Sequence, residues 1–416
     1  MIVLIFLGLV LLGHWYVWHR MVRSSTAPGR ARKALTWGLA GLLVILVATF
    51  AGGRLGVAHW LAWPGFIWLA LLFYLVVFLV VLEIPRAVAW AFLRRAERAP
   101  AAEPVAVVAA ETAPTLVAPG GSAISVGVAV EPVEPAGAPV SRRLFLGRTT
   151  AVIAGAGALG TVGYGLSSAL GDPVIERVEV ALPKLDPRLG GLRFAVVSDI
   201  HLGPLTGRSH TERIVRMING LEADVVAIVG DLVDGSVAEL GPLAQPLKSL
   251  ESRYGAFFVT GNHEYFSAGG PAEWIEELGQ LGVRSLRNER VEIGHQGAVL
   301  DLAGVNDLNG ASSNDGPDFG KALGNRDAGR STVLLAHQPV MVDQAARHGV
   351  DLQLSGHTHG GQIAPFNLVV GLQQPVVSGL ATIDGVRVYV TRGAGFWGPP
   401  VRVGAPPEIT MLELSG

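Results

Sequence analysis

The chain has no cysteine. Structural disulfides, thiolate metal sites and a cysteine nucleophile are therefore excluded, and any bound metal has to be held by His, Asp, Glu or Asn. Charge is also scarce. Only 16% of the 416 residues are Asp, Glu, Lys or Arg, whereas 50% are hydrophobic. That balance is too apolar for a wholly soluble protein and too polar for a pure transporter, so a membrane part joined to a soluble part fits best. The formal net charge of −2 leaves no basic excess. Nucleic acid is excluded as a partner on that ground, because its phosphates call for clustered Lys and Arg.

Three apolar runs open the chain: Met1 to Trp18, Ala34 to Phe50 and Trp60 to Leu82. Each is near the ~20 residues that cross a bilayer as a helix, so residues 1–98 read as a transmembrane region with three helices. Arg20, Arg23, Arg30, Arg32 and Lys33 lie between the first two runs, and Arg86, Arg94, Arg95 and Arg98 come after the third. The positive-inside bias puts both clusters in the cytoplasm, so the N-terminus starts outside and the third span ends inside. Trp15, Trp18, Trp60, Trp63 and Trp90 fall near the span ends and read as interfacial anchors.

Residues 99–140 are Ala, Pro, Val, Gly and Glu without a sustained period, the composition of a flexible linker. Ser141-Arg142-Arg143-Leu144-Phe145-Leu146 then precedes the weakly hydrophobic stretch Thr149 to Gly171. Residues 141–171 resemble a twin-arginine export signal, and the competing reading is a fourth membrane helix flanked by cytoplasmic charge. Either way, the domain that comes next is expected outside the cytoplasm. A twin-arginine translocase is the partner that the first reading implies.

From Val174 to the end, short β-rich runs alternate with helix-like stretches, which predicts a layered α/β domain over 174–416. Five expected strands each end in a polar cluster. Arg193 to Ser198 runs into Asp199-Ile200-His201, and Asp224 to Val229 into Gly230-Asp231 and Asp234. Phe257 to Thr260 runs into Gly261-Asn262-His263-Glu264. Thr332 to Leu335 runs into His337, and Leu352 to Leu354 into Gly356-His357-Thr358-His359-Gly360-Gly361-Gln362. Sheets of this class build sites from the loops at their strands' carboxyl ends. Residues two apart at a strand end point the same way, so Asp199 with His201, and His357 with His359, could each give two donors to one cation. Asp231 could bridge two cations with its two oxygens, and Asn262 and His337 add an oxygen and a nitrogen. Five of the eight histidines after residue 173 fall inside these motifs; His210, His295 and His348 do not and read as structural or solvent-facing.

The ordered set Asp-x-His, Gly-Asp-x-x-Asp, Gly-Asn-His-Glu, His and Gly-His-x-His resembles the calcineurin-like metallophosphoesterases over about residues 192–414. Within that family it is similar to small bacterial membrane-associated enzymes, whose Gly-x-Gly-x-Trp-Gly-x-Pro stretch corresponds here to the run from Gly393. The resemblance implies a layered β-sandwich flanked by helices. It assigns Asp199, His201 and His359 to one metal, and Asn262, His337 and His357 to a second, with Asp231 bridging. It makes His263 the catalytic histidine outside the coordination sphere, Asp234 its orienting carboxylate, and Glu264 a structural partner. No separate cofactor-binding residues are implied.

Two metal ions about 3.5–4 Å apart can turn a bridging water into hydroxide near neutral pH and bind phosphate oxygens. The mixed nitrogen and oxygen donors suit Mn, Fe or Zn, divalent or trivalent, and not Ca. The expected function is hydrolysis of phosphoester or pyrophosphate bonds at the outer face of the cytoplasmic membrane, on a small-molecule or lipid-linked substrate. Phe396 and Trp397, beside the site, are candidates for facing the bilayer. The competing function is a catalytically inactive phosphoesterase fold serving as a membrane scaffold or binding module.

Overall fold

The computed structural model describes residues 2–54, 57, 59–98, 142–267 and 269–416. The expected linker at 99–140 lies outside the described residues.

Four helices come first: α1 (Ile2–Val17), α2 (Arg30–Arg54), α3 (Ala62–Arg98) and α4 (Arg142–Leu170). With α1 continued by the π-helical turn Trp18–Arg23, all four are long and apolar enough to cross a membrane. The third apolar run ends at Leu82, but α3 continues through Pro85 to Arg98. Hydropathy marks where a helix leaves lipid and not where its hydrogen bonding stops, and a mid-helix proline kinks a long helix without always ending it.

Two compact units are present, 1–37 with 75–156, and 38–74 with 157–416. In the first, Glu83 of α3 joins Arg20 at 2.6 Å and Arg86 at 3.1 Å, which ties the two basic clusters together. Near the start of α4, Arg148 donates to the Ser25 carbonyl at 3.3 Å.

The second unit holds the α/β part. Its first half runs β1 (Val174–Ala181), β2 (Arg193–Val197), α5 (Arg208–Asn219), β3 (Val225–Val229), α6 (Val237–Ala244), β4 (Ala256–Val259), α7 (Ala272–Gln280) and β5 (Val283–Ser285). Next come β6 (Glu289–His295), β7 (Ala298–Gly304), α8 (Phe319–Leu323), β8 (Thr332–Leu335), α9 (Val342–Arg347) and β9 (Leu352–Ser355). The chain closes with α10 (Asn367–Val370), β10 (Gly379–Ile383), β11 (Val386–Val390) and β12 (Glu408–Ser415).

The strands form two six-stranded sheets, ordered β1-β12-β2-β3-β4-β5 and β10-β11-β9-β8-β7-β6. Strands β2 to β5 are parallel, as are β11, β9, β8 and β7, so their carboxyl ends line up. Alternation along each strand fills two layers at once. Phe194, Val196, Val225, Ala227 and Val229 face inward and meet Leu300, Leu302, Val333, Leu335, Leu352 and Leu354 of the other sheet. Ala195, Val197, Val226 and Ile228 face outward under helices α5 to α7. Leu334, Val388 and Val390 do the same on the second sheet under α8 and α9. Strands buried on both faces read as continuous apolar runs, which is why Phe194-Ala195-Val196-Val197 has no polar side chain. Each helix buries one stripe. In α5 the buried positions are His210, Thr211, Ile214, Val215 and Ile218, at the three-and-four spacing of a helix face. Each fully buried Val, Leu, Ile or Phe contributes about 1.5–3 kcal/mol. This α-β-β-α sandwich holds the parallel strand ends rigidly side by side.

Candidate metal centre and active site

The loops after β2, β3, β4, β8 and β9 carry the expected site residues, and the fold brings them together. Asp199, His201 and His359 offer ligand atoms within 4.8 Å of one another, and so do Asp231, His337 and His357. A third group of the same kind is His201, Asp231 and His263. Asp231 thus links the groups. Its Oδ2 is 3.2 Å from His337 Nε2 and 3.9 Å from the Nε2 atoms of both His201 and His263.

Backbone shape aims these side chains. Asp199, His201, Asp231, His357 and His359 have φ of 51°, 49°, 51°, 70° and 51°. This left-handed region costs a non-glycine residue about 1 kcal/mol or more, and it persists where the surroundings over-determine it. Gly356 allows the loop closure: a Cβ there would lie 1.9 Å from Ser198 Oγ and 2.4 Å from Asp199 Oδ2. Glu264 is buried and accepts from the backbone N–H groups of Asp231, Leu232 and Gly261 at 3.1, 2.8 and 2.6 Å. It braces the turn behind Asp231.

The imidazoles are held by their far nitrogens. His201 Nδ1–H donates to Asp234 Oδ1 at 2.8 Å, and His263 Nδ1–H donates to the same oxygen at 2.7 Å. His337 Nδ1–H donates to the Val229 carbonyl at 2.8 Å. In each case the Nε2 atom is left facing the cluster, the arrangement that fixes tautomer and orientation in histidine metal ligands. Asp234 therefore serves two rings and not His263 alone.

Three observations test whether the residues suit metal ions. Among the described residues, the buried Asn262 Oδ1 makes no hydrogen bond. Orphaned buried acceptors of this kind are costly unless something binds them. His201 Nε2 and His359 Nε2 lie 3.0 Å apart, with Asp199 Oδ1 3.3 Å from the latter. Two ring nitrogens this close are stabilised by a shared proton or cation. The donor set of imidazoles, carboxylates and one amide oxygen is that of transition metals. The residues fit.

Electrostatics agree with a charged centre. Burial raises the Asp199 carboxyl despite the nearby His337 charge. Burial works against ionisation of Asp231 also, but the charge and hydrogen bond of His337 outweigh it and hold that carboxyl well below the usual range. Burial opposes charging His263, yet its bond to Asp234 and the charge of Asp231 lift it to about 9. Burial and the His337 charge push His357 down to about 3.

Some participants carried no local signal. Arg402 is fully buried and donates to the carbonyls of His359 at 2.8 Å and Arg392 at 2.9 Å, with Nη2 3.1 Å from His359 Nδ1. Its isolation in the apolar run Pro399-Pro400-Val401-Arg402-Val403 is the one clue the sequence offers. Asp307 is buried beside His337 and takes both hydrogen bonds of the Gln338 amide at 3.0 Å. Phe266 stacks edge-on against His263 at 4.9 Å between ring centres, and Trp397 does so at 5.9 Å. Phe396 departs from the expectation: it is 3% exposed and belongs to the core, whereas Trp397 is 57% exposed. Of the three histidines left outside the motifs, His295 pairs with Tyr254 and His348 bonds the Gln344 carbonyl of its own helix.

Comparison with known proteins gives this arrangement a family. The model for calcineurin-like phosphoesterases matches residues 192–361. A metallophosphoesterase of Helicobacter pylori, named as uncharacterized, is 39% identical over 262 residues, which cover 62% of this chain and 68% of that protein. The chain belongs to the calcineurin-like metallophosphoesterases. Another uncharacterized metallophosphoesterase, from Aquifex aeolicus, is 33% identical over 252 residues, covering 58% of this chain and 92% of its own. A Danio rerio relative named transmembrane protein with metallophosphoesterase domain is 40% identical over 260 residues, covering 60% of this chain. The match spans 59% of that relative's length. Four apolar helices and a relative so named make this metallophosphoesterase a membrane-associated protein.

Proposed function

We propose that this protein is a two-metal hydrolase of phosphoester or pyrophosphate bonds, working at the outer face of the cytoplasmic membrane. Seven donor side chains from five strand ends, with the buried Asn262 Oδ1 left without a hydrogen-bond partner among the described residues, carry this reading. Asp199, His201 and His359 would hold one ion, Asn262, His337 and His357 the other, and Asp231 both. When bound, such a pair supplies an activated water and positive charge against the phosphate oxygens.

The chain's own groups do the rest. In hydrolysis the water oxygen bonds to phosphorus, the bond to the leaving oxygen breaks, and both electrons of that bond go to the leaving oxygen. That oxygen needs a proton. His263, held by Asp234 through Nδ1, is placed to present a proton at Nε2 to supply it. Asp234 sets the tautomer of His263, and of His201 as well.

Elemental analysis of the full-length protein, purified in detergent and loaded with Mn, Fe or Zn, is expected to give two metal ions per chain. Hydrolysis of p-nitrophenyl phosphate, bis(p-nitrophenyl) phosphate or pyrophosphate should depend on them. Less than one ion per folded chain would defeat the reading and favour the scaffold.

The outer-face placement is supported by the Arg20–Glu83–Arg86 link, which puts the ends of the first and third spans on one side. The bond from Arg148 to Ser25 sets the start of α4 beside the same basic loop, which supports a cytoplasmic start and an outward course for this helix. A reporter fused after Gly416 should read as extracytoplasmic, and a cytoplasmic signal would sink the topology. Arg142→Lys with Arg143→Lys should block export if the twin-arginine route is used, and normal export would sink the route alone.

A further inference from the structure

The site loops are hydrogen-bonded to the apolar helices α3 and α4. Tyr74 of α3 is buried and its Oη–H donates to the Ala364 carbonyl at 2.9 Å. Tyr74 lies eleven residues past Trp63, the residue read from the sequence as an interfacial anchor, about 16 Å along a helix axis. Half the hydrocarbon thickness is about 15 Å. A second attachment is parallel to the first. The Arg402 N–H donates to the Gly165 carbonyl of α4 at 2.9 Å, five residues before that helix ends. Ala364 comes only five residues after His359 of the ligand motif, and the Gln362 amide between them donates to the Trp397 carbonyl at 2.9 Å.

The segment just beyond Ala364 is apolar and uncovered. Phe366, Leu368, Val369 and Leu372 are all exposed, Leu368 at 71% and Leu372 at 84%. Four large apolar side chains exposed within seven residues of one surface segment form the kind of patch that marks a membrane or partner contact. Beside His263, Phe266 at 64% and Trp397 at 57% are exposed aromatics too. One environment explains both sets. A segment bonded to Tyr74 at that depth has acyl chains around it, and aromatic rings at a site's mouth suit the junction of polar headgroup and apolar tail.

We infer that residues 366–372 insert into the outer leaflet, and that the metallophosphoesterase site takes a phosphate carried on a lipid of that leaflet, with Phe266 and Trp397 lining the passage of its tail. This rests on the two-metal reading proposed above, and it names the substrate class. The candidate metal ligands around Asp231 would hold the ions that take the phosphate. The apolar segment lowers the site to where that phosphate lies, and no soluble carrier is needed.

Two measurements on the full-length protein in phosphatidylcholine nanodiscs test it. Because the chain has no cysteine, Leu372→Cys creates a single labelling site for an environment-sensitive fluorophore. Doxyl groups on the lipid acyl chains should quench that fluorophore, and no quenching would overturn the insertion. The second is a comparison of matched pairs with Mn present: glycerol 3-phosphate against phosphatidic acid, glycerophosphoglycerol against phosphatidylglycerol, and methyl pyrophosphate against farnesyl pyrophosphate. Whichever bond class is cleaved, kcat/KM should favour the lipid member by about ten-fold or more, the effect of burying some two methylenes. Leu368→Ser combined with Leu372→Ser, and separately Trp397→Ala, should lower that ratio. Equal or better hydrolysis of the soluble member, or a ratio that neither variant moves, overturns the lipid inference and leaves the phosphoesterase reading standing. Failure of all six compounds in a protein that holds its metals overturns both.

Discussion

Replacing Asp231 with alanine is expected to remove both metal ions and to lower kcat/KM by on the order of 10⁴-fold, about 5 kcal/mol of transition-state stabilisation. No other single ligand should cost as much. The reason is position. Asp231 alone is common to the His337–His357 group and the His201–His263 group. Its two oxygens are separately engaged: Oδ1 accepts from the His263 backbone N–H at 2.9 Å, and Oδ2 faces His337. Loss of the carboxylate also strands the buried imidazole of His337, whose raised pKa depends on Asp231 after burial is overcome. Asn262→Ala, by contrast, removes one neutral oxygen from one ion and leaves every charge in place. Its cost should be smaller by about 100-fold or more, the scale of a single weakened ligand. Metal content by elemental analysis, with kinetics on the same preparations, makes the comparison. Equal losses in the two variants would remove the bridging role.

The candidate ligand positions were legible in the sequence because each lies at a strand's end, and strands buried on both faces announce themselves as apolar runs. Phe194 to Val197 before Asp199, and Val225 to Val229 before Asp231, need no partner to be recognised. The two-layer sandwich was legible for the same reason. The contacts that stayed hidden are those that sandwich closure creates. Arg402 reaches His359 across forty-three positions, and Asp307 reaches Gln338 across thirty-one. A contact of that separation leaves no periodic trace. The left-handed turns at Asp199, His201 and Asp231 were equally hidden, since Asp and His take that shape more often than most residues but still at only a small minority of positions. Phe396 and Trp397 show the limit most directly. They are adjacent aromatics, and strict local reasoning treats them alike, yet one fills the core and the other faces out.

Asp234 extends the expected division of labour. Beyond orienting His263, its Oδ1 also accepts from His201, which faces Asp199 and His359. Charge and orientation for a ligand and for the candidate proton donor thus come from one atom. The two histidines are consequently coupled, and only substitutions at the rings themselves can separate metal binding from proton delivery.

His263→Ala is the substitution that makes this separation, and it is expected to lower kcat by about 10²–10⁴-fold, the range of general acid catalysis, while both metal ions remain. The ring is oriented by Asp234 at 2.7 Å through Nδ1, and its Nε2 is 3.9 Å from Asp231 Oδ2, so it stands beside the proposed metal pair. Distance alone does not decide its role, because His263 also falls within 4.8 Å of His201 and Asp231 as a conceivable ligand. Metal content decides. If the alanine variant retains two ions and loses turnover, the ring acts on the leaving oxygen. A second signature should accompany it: substrates whose leaving groups depart readily as anions, such as p-nitrophenolate, need little protonation and should be less impaired than alkyl esters. Asp234→Asn should show the same order of substrates but also bind metal more weakly, since it releases His201. If His263→Ala empties a metal site, or slows good and poor leaving groups alike, the ring is a ligand and another group delivers the proton.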